Sequence, residues 1–196
     1  TAGPYIHEDT RGLPDPVRRY FRAVLKEGQP AVAAARLSHT GHFNMDDGRE
    51  HWKRFTSTQL IVTRRPGFHW TARISMALGL YAYVRDGYVA EKGILHAKLL
   101  GVLTVADLGD TPELAQGELM RFLAEAVWYP TVLLPGHGVN WLPIDGSSAR
   151  ATIDDGVNTV ALDFGFDDEG LITTVHAQER FRAVDGKFVA TRWQGR

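Results

Sequence analysis

Glu118, Arg121 and Glu125 are the first residues in this sequence whose types and spacing could do chemistry. Separations of three and four set the three side chains next to one another on a helix. Two arrangements share that spacing. On a wet face it is an ion-pair strip worth roughly 0.2–0.5 kcal/mol per pair. Facing a cavity it is a carboxylate–guanidinium–carboxylate set in which desolvation raises one carboxyl pKa and fits it for proton transfer at neutral pH. Helix pairs of this kind are commoner on wet faces, so burial decides between the two. His137, between Gly136 and Gly138, is a further proton carrier if its loop, read here as mobile, reaches over a cavity mouth. A phosphate-binding role for that loop is disfavoured, because the strand-like Val139-Asn140-Trp141 follows where a helix N-terminus would be needed.

Aromatic side chains are the second resource. Most of them are core, since aromatics dominate burial, but a subset lining a pocket would suit a flat or isoprenoid-like ligand, with Trp70, Phe122 and Trp141 as candidate walls. Tyr81 and Tyr83 share a strand face with Arg85, so a pocket there would offer hydroxyl donors beside a cation. A metal site is not expected. His39, His42 and His51 lie near Asp46, Asp47 and Glu50, but His39 and His42 differ by an odd number and point to opposite faces of a strand. No G-x-S-x-G elbow, H-E-x-x-H, P-loop or dinucleotide fingerprint occurs, and no cofactor is expected.

Composition narrows the classes further. The chain has no cysteine, which removes thiolate catalysis, disulfides and cysteine-based metal centres and fits a reducing, cytoplasmic setting. A formal net charge of −1 gives no overall field for nucleic acid or an anionic membrane, so partners chosen by bulk charge are not expected. The longest apolar runs fall far short of the roughly 20 residues needed to span a bilayer, and Thr1 to Thr10 lacks the apolar core of a signal peptide.

The elements that position these residues are legible from periodicity. At 196 residues one domain is expected. Asp15 is placed as an N-cap and Pro16 as the first residue of a short helix over Val17 to Lys26 stopped by Gly28, within an N-terminal region 11–28. Its Arg18, Arg19 and Arg22 interleave with apolar residues and mark the wet side. From Ala31 the period becomes two: Phe68, Trp70, Ala72, Ile74 and Met76 alternate with polar residues, as do Val160, Leu162, Phe164 and Phe166. Asp-Gly pairs at 47–48, 86–87, 145–146, 155–156 and 185–186 read as hairpin turns, with further turns at Pro66-Gly67 and 167–170. The pattern predicts about nine or ten strands in a first meander (31–108) and a second (138–193). Between them, in a region 111–135, Thr111-Pro112-Glu113 opens a helix running to about Trp128. Its Ala115, Leu119, Leu123, Ala126 and Val127 cover a wide apolar arc, so it should be enclosed. The expected fold is α+β but mostly β: a curved antiparallel meander, half-barrel or open barrel, taking the central helix on its concave side and leaving an apolar cavity.

The stretch from Gly117 to Glu125 with Pro130-Thr131-Val132-Leu133-Leu134 resembles an uncharacterised actinobacterial family of domains of unknown function, of the DUF6544/DUF6920 kind. Leu13 to Phe21 and Pro66 to Ile74 are similar to it as well. The resemblance covers nearly the whole chain and implies no established activity. Members of that family are expected to carry a further C-terminal strand pair after the position of Trp193-Gln194-Gly195, relative to which this chain looks shortened, and the strand pattern is similar to the open β-half-barrels that carry the acyl chains of lipoproteins or, in a few pigment-pathway enzymes, reshape an aromatic intermediate without a cofactor. The expected function is binding of a hydrophobic small molecule or lipid between sheet and helix. The alternative is a cofactor-independent isomerase, cyclase or hydrolase in the same cavity, and the expected state is a monomer or a weak dimer paired through a sheet edge.

Overall fold

The computed structural model describes residues 3–45, 49–76, 79–101, 103–109, 111–184 and 187–196. Among them the alternating segments form eleven strands, one more than the upper expectation. They build two open antiparallel sheets rather than one. The first is a meander of β1 (Ala34–Asn44), β2 (Trp52–Val62), β3 (Gly67–Ser75), β4 (Tyr81–Val89), β5 (Lys92–Leu99) and β6 (Leu103–Gly109) in sequence order. The second orders β7 (Val139–Pro143), β8 (Ser148–Asp155), β9 (Asn158–Phe166), β10 (Ile172–Val184) and β11 (Lys187–Gly195) in the same way. The mostly-β class with two α-helices stands.

The helices begin close to where their caps predict. Helix α1 (Asp15–Val24) starts one residue early, with Pro14 in the capping position, and ends two residues short of Lys26. It buries Val17, Tyr20 and Phe21 and leaves its arginines outward. Helix α2 (Pro112–Glu125) is capped by the Thr111 hydroxyl, which accepts from the Leu114 N–H at 3.2 Å. A 3-10 turn, Ala126–Trp128, completes the expected span, and Pro130 opens another turn instead of continuing the helix.

Turn chemistry explains the main misreading. Asp145-Gly146 lies between β7 and β8, and Asp155 ends β8 with Gly156 opening the turn to β9, whereas the pairs at 47–48 and 185–186 fall outside the described residues. Asp86-Gly87, however, sits inside β4. The chain turns instead at Ala90 and Glu91, both at positive φ (51° and 69°), which a two-residue hairpin requires and which neither residue type announces. The segment around His137 forms a 3-10 turn, Pro135–His137, closed by Gly138 at φ 88°.

Helix α2 packs against β3, β4 and β5 of the first sheet and against β9 and β10 of the second. Strand β10 pairs with β9 only as far as His176 and, beyond an irregularity between Ala177 and Arg180, continues with β11. Close approach at the other side depends on Gly93 of β5, where a Cβ would lie 2.7 Å from the Leu114 carbonyl carbon and 2.8 Å from the Ala115 nitrogen. Those are backbone atoms of the first turn of α2 and cannot swing aside. Gly93→Ala is therefore expected to cost about 1–3 kcal/mol by overpacking, read as a lower denaturation midpoint at unchanged m-value. A buried polar clasp fastens the sheets: the Tyr88 hydroxyl donates to Asp155 at 2.9 Å, and the Asn158 amide donates to Tyr88 at 3.1 Å and to the Glu91 carbonyl at 2.9 Å.

Candidate functional site

Two constellations emerge, one on each face of the first sheet. On the inner face, beneath α2, Glu118, Arg121 and Glu125 are not a surface strip. Glu118 is 6% exposed, and the Arg121 and Glu125 side chains are only 18% and 16% accessible. The Arg121 Nε donates to Glu125 at 2.8 Å, its Nη1 donates to Asp86, and its guanidinium lies about 5 Å from the Phe68 and Trp70 rings. Gln59, fully buried on β2, donates to Glu125 at 2.5 Å. Burial alone would favour a neutral guanidine, but the Glu125 and Asp86 carboxylates outweigh it and Arg121 stays charged.

Asp86 was missed because its glycine neighbour marked it as a turn residue. It faces Glu118. One oxygen of each, Asp86 Oδ1 and Glu118 Oε2, is buried with no other donor among the described residues. The two carboxyls are hydrogen-bond partners when one is protonated, and a single proton held between them would satisfy both. Burial first, and then the Asp86 charge, push the Glu118 carboxyl up to about 8, against the pull of Arg121 and of Arg180 on β10. Burial raises Asp86 too, opposed chiefly by Arg121. With Glu118 protonated, Asp86 and Glu125 balance Arg121 and Arg180, which is the charge state a desolvated cluster favours.

On the outer face the strand registers assemble a different set. Pairings Arg73↔Tyr83↔Lys98↔Thr104 and Thr71↔Arg85↔His96↔Asp107 place two adjacent rows side by side across β3 to β6. All of these but Arg73 line a cavity of about 680 Å3: Thr71, Tyr83, Arg85, His96, Lys98, Thr104 and Asp107. Asp107 holds His96 at 2.7 Å, whereas Arg85 and Lys98 have no carboxylate partner among the described residues. Tyr83 is 45% exposed, and Tyr81 lies next door in a second recess of about 570 Å3 with Arg73 over its ring at 4.5 Å.

The residues singled out from sequence are thus divided. Tyr83 and Arg85 share a cavity. Trp70 and Phe122 are buried on the α2 side, Phe122 against Tyr129 with ring centroids 5.9 Å apart, and Trp141 packs on Phe164 and Phe166 in the second sheet. His137 lines a separate cavity of about 590 Å3 with Pro30, Val32 and Thr63, and burial lowers its pKa. His39 and His42 fall on opposite faces, as their spacing requires; His39 stacks on Trp128 and bonds Ser57 at 3.0 Å. Asp46 and Asp47 fall outside the described residues. Two further cavities lie along the second sheet, of about 1140 Å3, and between that sheet and Gln116 and Met120 of α2, of about 260 Å3. None of these five cavities is lined by Glu118, Arg121 or Glu125.

Comparison with known families matches the chain to a model described as a family of unknown function, DUF6920, over residues 11–196. Comparison with curated proteins and with solved structures gives none. No described helix is long and apolar enough to cross a membrane.

Proposed function

The chain belongs to DUF6920, a family of unknown function, and from its own geometry we propose that it binds a small amphipathic anion, of the fatty-acid or aromatic-carboxylate type, on the outer face of the first sheet. The observation that supports this reading is the cavity of about 680 Å3 in which Arg85 and Lys98 stand without a carboxylate partner among the described residues. That volume is within the usual range for small-molecule sites. Two cations without carboxylate partners can both donate to one carboxylate, and the Tyr83 phenol and the Thr71 and Thr104 hydroxyls line the same cavity as further donors. His96, already engaged by Asp107, orients the rim. This reading departs from the sequence expectation in location, lying across the sheet from α2, and in ligand, an amphipathic anion where a hydrophobic small molecule or lipid was expected.

Calorimetric titration with dodecanoate below its micelle concentration tests the proposal. Saturable one-to-one binding is expected, weakened at least tenfold in Arg85→Gln/Lys98→Gln, because each charge-assisted hydrogen bond contributes about 1.5–3 kcal/mol. Both residues are exposed, so the melting temperature should stay within about 2 °C of the parent. Absence of saturable binding, or undiminished binding in the double variant, would sink the proposal.

A further inference from the structure

The net charge of −1 conceals a one-sided distribution. Strand registers place Arg36, Arg54, Arg73, Arg85 and Lys98 on the outer face of the first sheet, all exposed, together with His42 and His69. Ser38, Thr40, Thr56, Thr58 and Thr71 fill the positions between them. The acid that answers them on the described part of this face is Asp107, already engaged by His96. With strands about 4.8 Å apart, the five strands β1 to β5 spread these cations over roughly 19 Å across the sheet. At one end of this face Leu60, Val62 and Val89 are 47%, 53% and 47% exposed.

We propose that this face is a docking surface for an anionic phospholipid bilayer. The geometry suits that partner: cations dispersed over a broad sheet match a plane of headgroups, hydroxyls between them can donate to phosphate oxygens, and an exposed apolar border can enter the interface. Single-stranded nucleic acid fits less well, because base binding needs open aromatic platforms. Here the Tyr81 ring is covered by Arg73, and the open rings, Tyr83 on β4 and Trp52 at the start of β2, have β3 between them instead of forming a row of adjacent platforms. Docking is independent of the amphiphile reading, since most of the charge lies outside that cavity.

Sedimentation with vesicles tests it. The protein should bind phosphatidylcholine vesicles containing phosphatidylglycerol, release from them at high salt, and ignore pure phosphatidylcholine. Each cation near such a surface contributes roughly fivefold to partitioning, so Arg36→Gln/Arg54→Gln/Arg73→Gln should lose about a hundredfold. These three leave Arg85 and Lys98 in place, so dodecanoate binding should survive in the same variant. Arg11→Gln/Arg18→Gln/Arg22→Gln, the same change of net charge near α1, should bind vesicles as the parent does. Failure to bind the anionic vesicles, equal binding to neutral ones, or equal loss in both variants would overturn the proposal. So would binding of a single-stranded oligonucleotide in place of vesicles.

Discussion

Arg121→Leu is expected to lower the unfolding free energy by about 3–5 kcal/mol, the usual cost of removing one partner from a buried ion cluster. The leucine fills much of the space, so the loss is electrostatic. Asp86 and Glu125 would be left between helix and sheet with Arg180 as the remaining cation, and the contacts to Phe68 and Trp70 would go with the guanidinium. Asp86→Leu/Arg121→Leu should lose less than Arg121→Leu alone, because Glu125 keeps the Gln59 amide and no carboxylate is stranded on β4. Chemical denaturation at neutral pH measures both. Additive losses would mean that Asp86 and Arg121 do not act as a unit.

Alkali should destabilise the fold through Glu118. Its carboxyl titrates near 8 in the native protein and in the ordinary carboxylate range when unfolded. Between those values the native state holds a proton that the unfolded state has released. Stability attributable to this group is therefore complete below the unfolded pKa and is lost as pH rises through the folded one. Asp86, also raised, acts in the same direction. The expected loss between pH about 5 and about 9 is on the order of 2–4 kcal/mol. Glu118→Gln keeps a hydrogen-bond donor toward Asp86 without a titrating proton, so its stability should be nearly flat over that window. A parent protein equally flat, or a variant with the parent's slope, would show that no proton is shared there.

Much of this architecture was legible in the strand alternation. Phe68, Trp70, Ala72 and Ile74 fall on the buried face and His69 and Arg73 on the exposed one, because one residue of register separates water from core. Hairpin rhythm does not say where one sheet ends, and the division into two follows from α2 entering between β6 and β7. The acid pair was hidden for a local reason: Asp86-Gly87 carries a strong turn signal but serves a close approach, since a Cβ on Gly87 would lie 2.7 Å from the Phe68 carbonyl oxygen. Tyr83 and Arg85 were legible as a pair by parity. The basic face was equally readable, at the polar positions of five strands, but it disappears when charge is summed over the chain.

The most direct measurement is a two-dimensional 1H–15N spectrum of the protein titrated with dodecanoate. Saturable shifts confined to the amides of Thr71, Tyr83, Arg85, His96, Lys98 and Thr104 are the expected result. Shifts centred instead on Glu118 to Glu125 and the inner strand face, or no saturable shift at all, would contradict an anion site on the outer face of the first sheet.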